Sequence, residues 1–592
     1  MIAGLKRTMH MLDGAGSPGV AASVLAGAAM GIAGSLYSMF SAAYGYFTHT
    51  YPLNWMALPF DFLKSKEWIL VIGMLSSSII TIISGAAIGG VIGIGVKFIF
   101  GRGKSSFAIQ PAFASSKKIE AVAAAACTYS FVVYCGAYML LGLLLLLASP
   151  GGEKRAGGGR EAPNVILITI DALRPDHLSC YGYPLPTSPH IDTLASESSV
   201  FTNAISVSPF TLGAVPCMMT SLYPGQIGMG EKEILALAHR NTTLAELLQR
   251  EGYETAAFVG NYFLRKEFNI WQGFYIYDDA FSSRELQRGF PEEAAGQLTE
   301  KAMDWLKSVR GTKYFLWLHY QDPHGPYTPP SPFNSTFKRN QYPPRSPVPL
   351  LEDNSGYGGI PRYQVLNGER DPNYYLSQYD GEISYTDHHI GLLLAELKRL
   401  GEYDTTAIII TADHGEAMAG EGGYYFCHGE TVREEIIKIP LVIKIPGVKE
   451  GKHISSQVSS LDITPTILEA AHVPVIDAIM GVSLTGLMQG GASSRTYAYS
   501  HKASMDRPSR AIRTNEYKLV MSGDTLELYD LTADPAEREN IYDREDMRAV
   551  AKLFKQALDD HMLQLKASSP LYKHTVVDER TRTMLKALGY VD

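Results

Sequence analysis

Asn164-Val-Ile-Leu-Ile-Thr-Ile-Asp171 is the most informative segment for the fold class, because a continuous apolar and β-branched run leads straight into a carboxylate. Two further runs have the same character, Tyr314-Phe-Leu-Trp-Leu318 and Thr406-Ala-Ile-Ile-Ile-Thr411. Continuous apolar runs of this length are typical of strands that are buried on both faces of a parallel sheet. The sequence therefore predicts three core strands of one sheet.

Helical patterns lie between these runs, for example over 243–251 and 383–400. Strands that alternate with helices indicate an α/β fold with a mostly parallel sheet sandwiched by helices. Three acidic residues, Asp380, Glu382 and Asp387, precede or begin the second helical pattern. We expect them to form its polar face or to have a supporting role.

Polar residues end each of the three runs. Asp171 follows the first run, His319 ends the second, and Asp413-His414-Gly415 ends the third. In open α/β sheets, ligands bind at the carboxyl ends of the strands. Carboxylates and imidazoles gathered at one such edge can bind a divalent metal ion. The sequence therefore predicts a metal site at this edge.

Three long, almost uncharged segments precede this region, at about 19–41, 68–96 and 121–148. Each exceeds the roughly 20 residues that a helix needs to cross a bilayer. A buried core helix is the alternative for each, and a cleaved signal peptide is an alternative for the first alone. We predict three transmembrane helices within a membrane domain of residues 1–150.

Charge predicts the orientation of these helices. Lys6 and Arg7 precede the first span, and the loop 97–118 between the second and third spans is rich in lysine and arginine. The positive-inside rule then places the N-terminus in the cytoplasm. After three crossings, the Gly-rich linker 151–163 and the domain that follows it are expected outside the cytoplasm. The lipid bilayer is thus a predicted partner.

The composition excludes some classes of protein. The chain has 592 residues, 46% of them hydrophobic, and a formal net charge of -8 without a long basic stripe, so nucleic acid is not an expected partner. Its five cysteines form no metal-binding pattern. One disulfide among Cys180, Cys217 and Cys427 is left open, as is the oligomeric state.

Several motifs together resemble the sulfatase family of the alkaline phosphatase superfamily, in order along the chain. They are the segment 164–176, Asp322-Pro-His-Gly-Pro-Tyr327, Thr411-Ala-Asp-His-Gly-Glu416, His428-Gly-Glu-Thr431, Tyr517-Lys-Leu-Val520 and Glu527-Leu-Tyr-Asp-Leu531. The resemblance implies an alkaline phosphatase-like catalytic domain over 164–485. It also implies a small C-terminal α+β subdomain over 486–592.

The segment Thr211-Leu-Gly-Ala-Val-Pro-Cys-Met-Met-Thr-Ser-Leu-Tyr-Pro224 departs from the family pattern. Sulfatases carry a Cys or Ser here that is oxidised to formylglycine, whereas aligning the end of this segment places Thr211 at the nucleophile. Cys217 falls six residues later and is expected in the core, where a free cysteine behaves as a small hydrophobe. Asp171 is followed by Ala172 instead of a second aspartate, which resembles the single-metal members of the superfamily.

The resemblance implies a role for each residue at the site. Asp171, Thr211, Asp413 and His414 are the expected ligands of one divalent ion, Ca²⁺, Mn²⁺, Mg²⁺ or Zn²⁺. His324 and His428 are expected to contact the substrate and to protonate the leaving group, and Asn261 is a further candidate substrate contact. His319 and Asp322 are expected to support the ligands or to hold a second metal.

Three functions remain open at this point. The first is an extracytoplasmic hydrolase of phosphate or sulfate esters that forms a covalent intermediate on Thr211. The second is a transferase of a phosphoethanolamine or phosphoglycerol group to a lipid or envelope glycan, and the third is a non-catalytic sulfatase-like ectodomain. Superfamily members with a threonine nucleophile include phosphodiesterases and phosphoethanolamine transferases. Substrate choice is expected to depend on the polar, irregular segment 329–375, predicted to lie outside the core.

Overall fold

The protein was analysed as a computed structural model that describes residues 162–568, apart from 229–235, 286–288, 419, 449, 494 and 503–507. Within these residues, no helix is both long enough and apolar enough to cross a membrane. The three predicted spans, at 19–41, 68–96 and 121–148, lie outside the described residues, as does the linker up to residue 161. Membrane anchoring therefore stays a prediction.

The strands of the described residues are numbered here in chain order. They are β1 (Asn164–Ile170), β2 (Ser199–Ile205), β3 (Glu254–Val259), β4 (Ile276–Asp278), β5 (Ser283–Arg284), β6 (Pro291–Glu292), β7 (Tyr314–Tyr320), β8 (Thr406–Ala412), β9 (Lys438–Lys444), β10 (Lys452–Ile454), β11 (Val458–Ser459), β12 (Ala498–Lys502), β13 (Ser509–Arg513), β14 (Tyr517–Ser522) and β15 (Thr525–Asp530).

The central sheet has the strand order β10-β2-β9-β8-β1-β7-β3-β4, and β11 extends β2. Its pairs are parallel except where β9 runs antiparallel to both β2 and β8. The strands β7 and β8 are buried along their whole length, and β1 is buried after its first residue. The mostly parallel, doubly covered sheet predicted from the apolar runs is thus confirmed.

Strand register explains why the polar strand ends meet. Thr169 of β1 pairs with His319 of β7 on one side and with Thr411 of β8 on the other. Because these three strands are parallel and in register, Asp171 and Asp413, each two residues further on, leave the sheet at the same edge.

The α-helices of the described residues are likewise numbered in chain order. They are α1 (Pro189–Ala195), α2 (Thr211–Thr220), α3 (Pro224–Ile227), α4 (Leu244–Arg250), α5 (Ala295–Ser308), α6 (Pro372–Leu400), α7 (Glu434–Ile437), α8 (Ile463–Ala470), α9 (Thr485–Met488) and α10 (Arg548–Ser568).

Helix α6 corrects the prediction of a helix over 383–400. It begins at Pro372, after Asp371 accepts a hydrogen bond from the Asn373 amide as an N-cap, and it ends before Gly401, which has a φ of +75°. The expectation of a polar face was wrong as well, because Asp380, Glu382 and Asp387 are buried. Asp380, for example, accepts hydrogen bonds from two tyrosine hydroxyls and lies against a histidine ring nitrogen.

The C-terminal part contains the predicted α+β unit. Strands β12 to β15 form an antiparallel sheet in chain order, and Phe554 and Leu558 of α10 pack with Ile512, Leu519 and Leu528 of its strands. The predicted boundary between residues 485 and 486 stays a prediction.

Residues 329–375 are less exposed than the sequence suggests. Ile360, Tyr363 and Gln364 are buried, although the segment forms short 3₁₀ turns and no α-helix before α6 begins. The expectation that this segment is too polar for the core was therefore wrong for its centre. Its polar side chains are buried because they hydrogen-bond to main-chain carbonyls of other loops.

Candidate active site

Three predicted metal ligands converge at the carboxyl edge of the central sheet. Asp171 follows β1, and Asp413 and His414 follow β8, so neighbouring strands deliver all three side chains. Each offers one ligand atom, and these atoms lie within 4.8 Å of one another. All three residues are fully buried, which places carboxylates and an imidazole where water has little access.

The hydrogen bonding of the carboxylates fits a bound cation. Asp171 Oδ1 and Asp413 Oδ2 are buried and accept no hydrogen bond from the described residues. Both lie close to His414 Nε2, at 3.5 and 3.4 Å respectively. Buried carboxylate oxygens without a donor are costly unless a cation compensates them. Two such oxygens beside one imidazole nitrogen therefore fit a divalent metal.

The His414 ring is oriented for ligation. Its Nδ1 lies 2.9 Å from the Gly415 carbonyl oxygen, which can only accept a hydrogen bond. Nδ1 must therefore carry a proton, which leaves Nε2, the ring nitrogen beside Asp171 and Asp413, as the atom that can ligate a metal.

Thr211 lies among these ligands although it is 40 residues or more from each of them in sequence. It is the first residue of α2, and its Oγ1 is 3.2 Å from His414 Nε2 and 3.5 Å from Asp171 Oδ2. A helix N-terminus carries partial positive charge, which favours an oxyanion at this hydroxyl. The structure thus groups all four predicted ligands, including the predicted nucleophile.

The two carboxyl groups differ in their pKa. Burial alone would raise the pKa of Asp171, but the charge of His324, a hydrogen bond from His319 and the charge of His414 hold that pKa well below its ordinary value. Burial, followed by the negative charge of Asp171, raises the pKa of Asp413. Asp171 is therefore the more firmly ionised of the two ligands.

Asn261 and His319 both support Asp171. The amide Nδ2 of Asn261 donates to Asp171 Oδ2, and His319 Nε2 lies 3.5 Å from the same oxygen. The other ring nitrogen of His319 is 2.8 Å from Thr169 Oγ1. The supporting role expected for His319 agrees with this geometry. The structure places the Asn261 amide on a predicted metal ligand, and its contact with substrate stays a prediction.

Asp322 lies apart from the metal ligands. Its Oδ2 accepts a hydrogen bond from the Ala295 amide at the start of α5, and burial raises its pKa to about 6. It therefore supports the beginning of a helix. Among the described residues, no second cluster of potential metal ligands is found at this position.

His324 and His428 face each other from two different loops. Their ring centroids are 5.0 Å apart, and the His428 ring lies 4.3 Å from that of His414. His324 Nδ1 is 2.8 Å from the Gly325 carbonyl oxygen and therefore donates to it, which leaves Nε2 as its other polar atom. The structure thus brings the two predicted substrate contacts together beside the metal ligands.

Glu416 is a functional candidate that sequence reasoning missed. Its Oε1 lies 3.0 Å from His428 Nδ1, and its Oε2 accepts a hydrogen bond from the Tyr327 hydroxyl at 3.0 Å. Burial lowers the pKa of His428, but the charge and hydrogen bond of Glu416, together with the charges of Asp171 and Asp413, outweigh burial and raise that pKa. Both Glu416 and Tyr327 belong to motifs visible in the sequence. Nothing in their spacing indicates that the two motifs share one carboxylate.

The three cysteines among the described residues take no part in the site. Cys217 is fully buried in α2, which confirms its predicted place in the core, and burial raises the pKa of its thiol. Cys180, Cys217 and Cys427 are all free thiols, so the disulfide left open by the sequence is not formed among them.

Two family profiles match the region of the chain that contains this site. The profile of the family described as Sulfatase matches residues 163–473. A second profile, described as N-sulphoglucosamine sulphohydrolase, C-terminal, matches residues 420–564. Together they span the central sheet, the site and the C-terminal antiparallel sheet.

Characterised relatives and solved structures show similarity over most of their own length. An N-acetylglucosamine-6-O-sulfatase of Bacteroides thetaiotaomicron is 25% identical over 75% of this chain and 94% of its own. An ulvan-active sulfatase of Formosa agariphila is 25% identical over 68% of this chain and 81% of its own. A solved enzyme in complex with its substrate D-glucosamine-2-N,6-O-disulfate superposes with a TM-score of 0.59, at 24% identity, over 70% of this chain and 100% of the other. A phosphonate monoester hydrolase of Agrobacterium radiobacter gives 0.56, at 21% identity, over 68% and 95%.

Proposed function

The chain belongs to the sulfatase family and is an ester hydrolase, and we propose that it cleaves phosphate or sulfate esters through a covalent ester on Thr211. The observation that carries the proposal is the position of the Thr211 hydroxyl, 3.2 Å from His414 Nε2 and 3.5 Å from Asp171 Oδ2. A threonine in this position replaces the residue that sulfatases oxidise.

Asp171, Asp413, His414 and the Thr211 hydroxyl would hold one divalent ion. When bound, such an ion lowers the pKa of a ligated hydroxyl and offsets negative charge on the transferring group. His414 contributes a fixed lone pair because its other nitrogen donates to the Gly415 carbonyl. Two carboxylates and one imidazole are compatible with Ca²⁺, Mn²⁺, Mg²⁺ and Zn²⁺.

The reaction proceeds in two displacements. In the first, Thr211 Oγ1 loses its proton to solvent and attacks phosphorus or sulfur, and the bond to the leaving group breaks as His428 or His324 donates a proton to the departing oxygen. In the second, water attacks the Thr211 ester, the histidine recovers a proton from that water, and the bond to Thr211 Oγ1 breaks, which releases the phosphate, phosphonate or sulfate. Thr211 Oγ1 takes back a proton from solvent, which restores the hydroxyl.

Threonine chemistry favours phosphorus over sulfur. A formylglycine hydrate can release sulfate by collapsing to the aldehyde, whereas a threonine has no second hydroxyl and its sulfate ester must be hydrolysed directly. A phosphorylated threonine is hydrolysed by the same in-line displacement that formed it. We therefore expect phosphate or phosphonate esters to be the better substrates.

The predicted localisation completes the proposal. Three membrane spans with a cytoplasmic N-terminus place the catalytic domain outside the cytoplasm, next to a lipid or envelope glycan substrate. Protease added to intact cells is expected to digest the 164–592 region and to spare the loop 97–118. The reverse pattern would contradict this orientation.

The experiment uses the full-length chain purified in detergent, with Thr211→Ala and the matched variant Thr211→Ser. Each is assayed on aryl sulfates, phosphate monoesters, phosphodiesters and phosphonate esters, with each divalent ion added in turn. We expect Thr211→Ala to lower kcat by at least about 10³-fold, and Thr211→Ser to stay within roughly tenfold of wild type.

Each other outcome has its own meaning. Sulfate turnover that survives in Thr211→Ala would contradict the assignment of the nucleophile and redirect attention to Cys217 or Ser208. If the wild type binds metal but turns over none of these substrates, the transferase or the non-catalytic alternative would be favoured over the hydrolase.

A further inference from the structure

Two adjacent side chains connect the loops that carry His324 and His428. The Tyr363 hydroxyl donates to the Phe426 carbonyl oxygen at 2.9 Å, and Gln364 Nε2 donates to the same oxygen at 3.3 Å. Both side chains are buried, and Phe426 stands two residues before His428. We refer to Tyr363 and Gln364 as the carbonyl clamp, because they converge on one main-chain oxygen.

The clamped residue has an unusual backbone. Phe426 has a φ of +48°, a left-handed conformation that a bulky residue seldom adopts. Its ring is fully buried, with centroids 5.0 Å from Tyr375 and 6.2 Å from Tyr327. Such a conformation persists only where surrounding contacts determine it, and these contacts fix the direction in which the chain enters His428.

The clamp also contacts the other histidine loop. Gly325 follows His324, and a β-carbon at Gly325 would overlap the side-chain amide of Gln364. The Gly325 carbonyl oxygen in turn accepts a hydrogen bond from His324 Nδ1 at 2.8 Å. The Gln364 amide therefore packs directly against the residue that orients the His324 ring.

We propose that Tyr363 and Gln364 are positioning residues that hold His324 and His428 in register for proton transfer to the leaving group. The proposal rests on the function proposed above. The side-chain pair contacts the backbone of both histidine loops, because both side chains donate to the Phe426 carbonyl oxygen and Gln364 packs against Gly325. The two histidine rings have centroids 5.0 Å apart, whereas Asp171 and Asp413 follow strands of the central sheet. Loss of the clamp thus displaces the proton donors and leaves the metal ligands in place.

The choice of ester makes the test specific. A proton donor accelerates departure of a basic oxygen far more than departure of an acidic phenol. A displaced donor therefore slows the hydrolysis of a phenyl ester more than that of the 4-nitrophenyl ester of the same acid. General loosening of the fold slows the hydrolysis of both esters equally. The pair is phenyl and 4-nitrophenyl phenylphosphonate, or phenyl and 4-nitrophenyl sulfate if the wild type prefers sulfates.

The variants are Tyr363→Phe and Gln364→Met in the full-length chain, each removing one donor at nearly constant volume. Tyr374→Phe is the matched control, since Tyr374 lies in the same segment and its ring contacts Arg339 and Tyr375. We expect each clamp variant to lower kcat for the phenyl ester by about tenfold and for the 4-nitrophenyl ester by less than about twofold. Metal content and KM are expected to stay at wild-type values, and the control is expected to match wild type throughout.

The result that would overturn the proposal is an equal loss on both esters, or no loss relative to Tyr374→Phe. Either clamp variant suffices, so misfolding of one, detected by its melting temperature and metal content, leaves the other to decide. Failure of the underlying function appears elsewhere, as a wild type without turnover or as activity that persists in Thr211→Ala.

Discussion

The site consists of two halves that are held in place by different means. The strand-end half, Asp171, Asp413 and His414, leaves neighbouring strands in one register, and no residue of it is exposed. The loop half, His324 and His428, lies on two loops that are both contacted by the side chains of Tyr363 and Gln364. The predicted ligands of a cation are thus positioned by the sheet itself, whereas the predicted proton donors depend on contacts between loops.

The largest expected effect comes from removing a ligand in the strand-end half. In Asp413→Asn, one buried oxygen that accepts no hydrogen bond from the described residues is replaced, and the negative charge is lost. We expect loss of the metal and a fall in kcat/KM of at least about 10³-fold, because a metal ion supplies several kcal/mol of transition-state stabilisation. Metal content of the purified protein and steady-state kinetics check this.

The same variant separates catalysis from stability. Without metal, wild-type protein must keep two buried carboxylates close together, so metal-free Asp413→Asn is expected to unfold at the same or a higher temperature than metal-free wild type. A marked fall in melting temperature instead would show that the carboxylate stabilises the fold by itself. The contrast with the loop half would then be lost.

A smaller effect is expected in the loop half from Gly325→Ala. The added methyl group overlaps the Gln364 amide, which must move and give up its bond to the Phe426 carbonyl. We expect stability to fall by about 1–3 kcal/mol and kcat by about 10²-fold. Metal content should be unchanged, and loss of metal would contradict the independence of the two halves.

Glu416→Gln tests the carboxylate beside His428, with a pH profile as its readout. Glu416 raises the pKa of His428, so the protonated donor persists to higher pH than it otherwise would. In Glu416→Gln the pKa of His428 falls, so the alkaline limb of the profile of kcat against pH shifts to lower pH. We expect kcat at neutral pH to fall by about tenfold. An unchanged alkaline limb in kcat against pH would show that His428 is not the proton donor.

The smallest effect is expected outside both halves, at Cys217. Cys217→Ala removes one buried sulfur atom from α2 and leaves a small cavity. We expect stability to fall by about 1 kcal/mol, with kcat/KM within roughly twofold of wild type. Chemical denaturation and kinetics on the same preparation check this, and a large loss of activity with normal stability would make Cys217 a competitor of Thr211.

The strand-end half was predictable because its signal is local. Asp171 and Asp413 each follow an apolar run that is typical of a strand buried in a parallel sheet. Because the strands are parallel, the residues that follow them meet at one edge of the sheet. The placement of Thr211 was predicted from the family resemblance and not from such a pattern. The structure groups it with the ligands, while its chemical role stays a prediction.

The loop half was only partly predictable because its contacts join distant segments. His324 and His428 were found from motifs, yet Glu416 was missed because its two partners lie 12 and 89 residues away in the chain. The start of α6 at Pro372 was missed for a related reason. Its first turns contain polar and aromatic residues whose burial depends on the loops that cover them.

Short-range rules account for the features that could be read from the sequence alone, which are the apolar runs that must be buried and the carboxylates at their ends; the three membrane spans stay a prediction. Contacts between distant groups, such as the Phe426 carbonyl oxygen held by Tyr363 and Gln364, became visible only once the chain was folded. The physical reason is that burial of an apolar residue needs no particular partner, whereas a buried polar group needs one specific donor or acceptor at hydrogen-bond distance. That partner can come from any part of the chain.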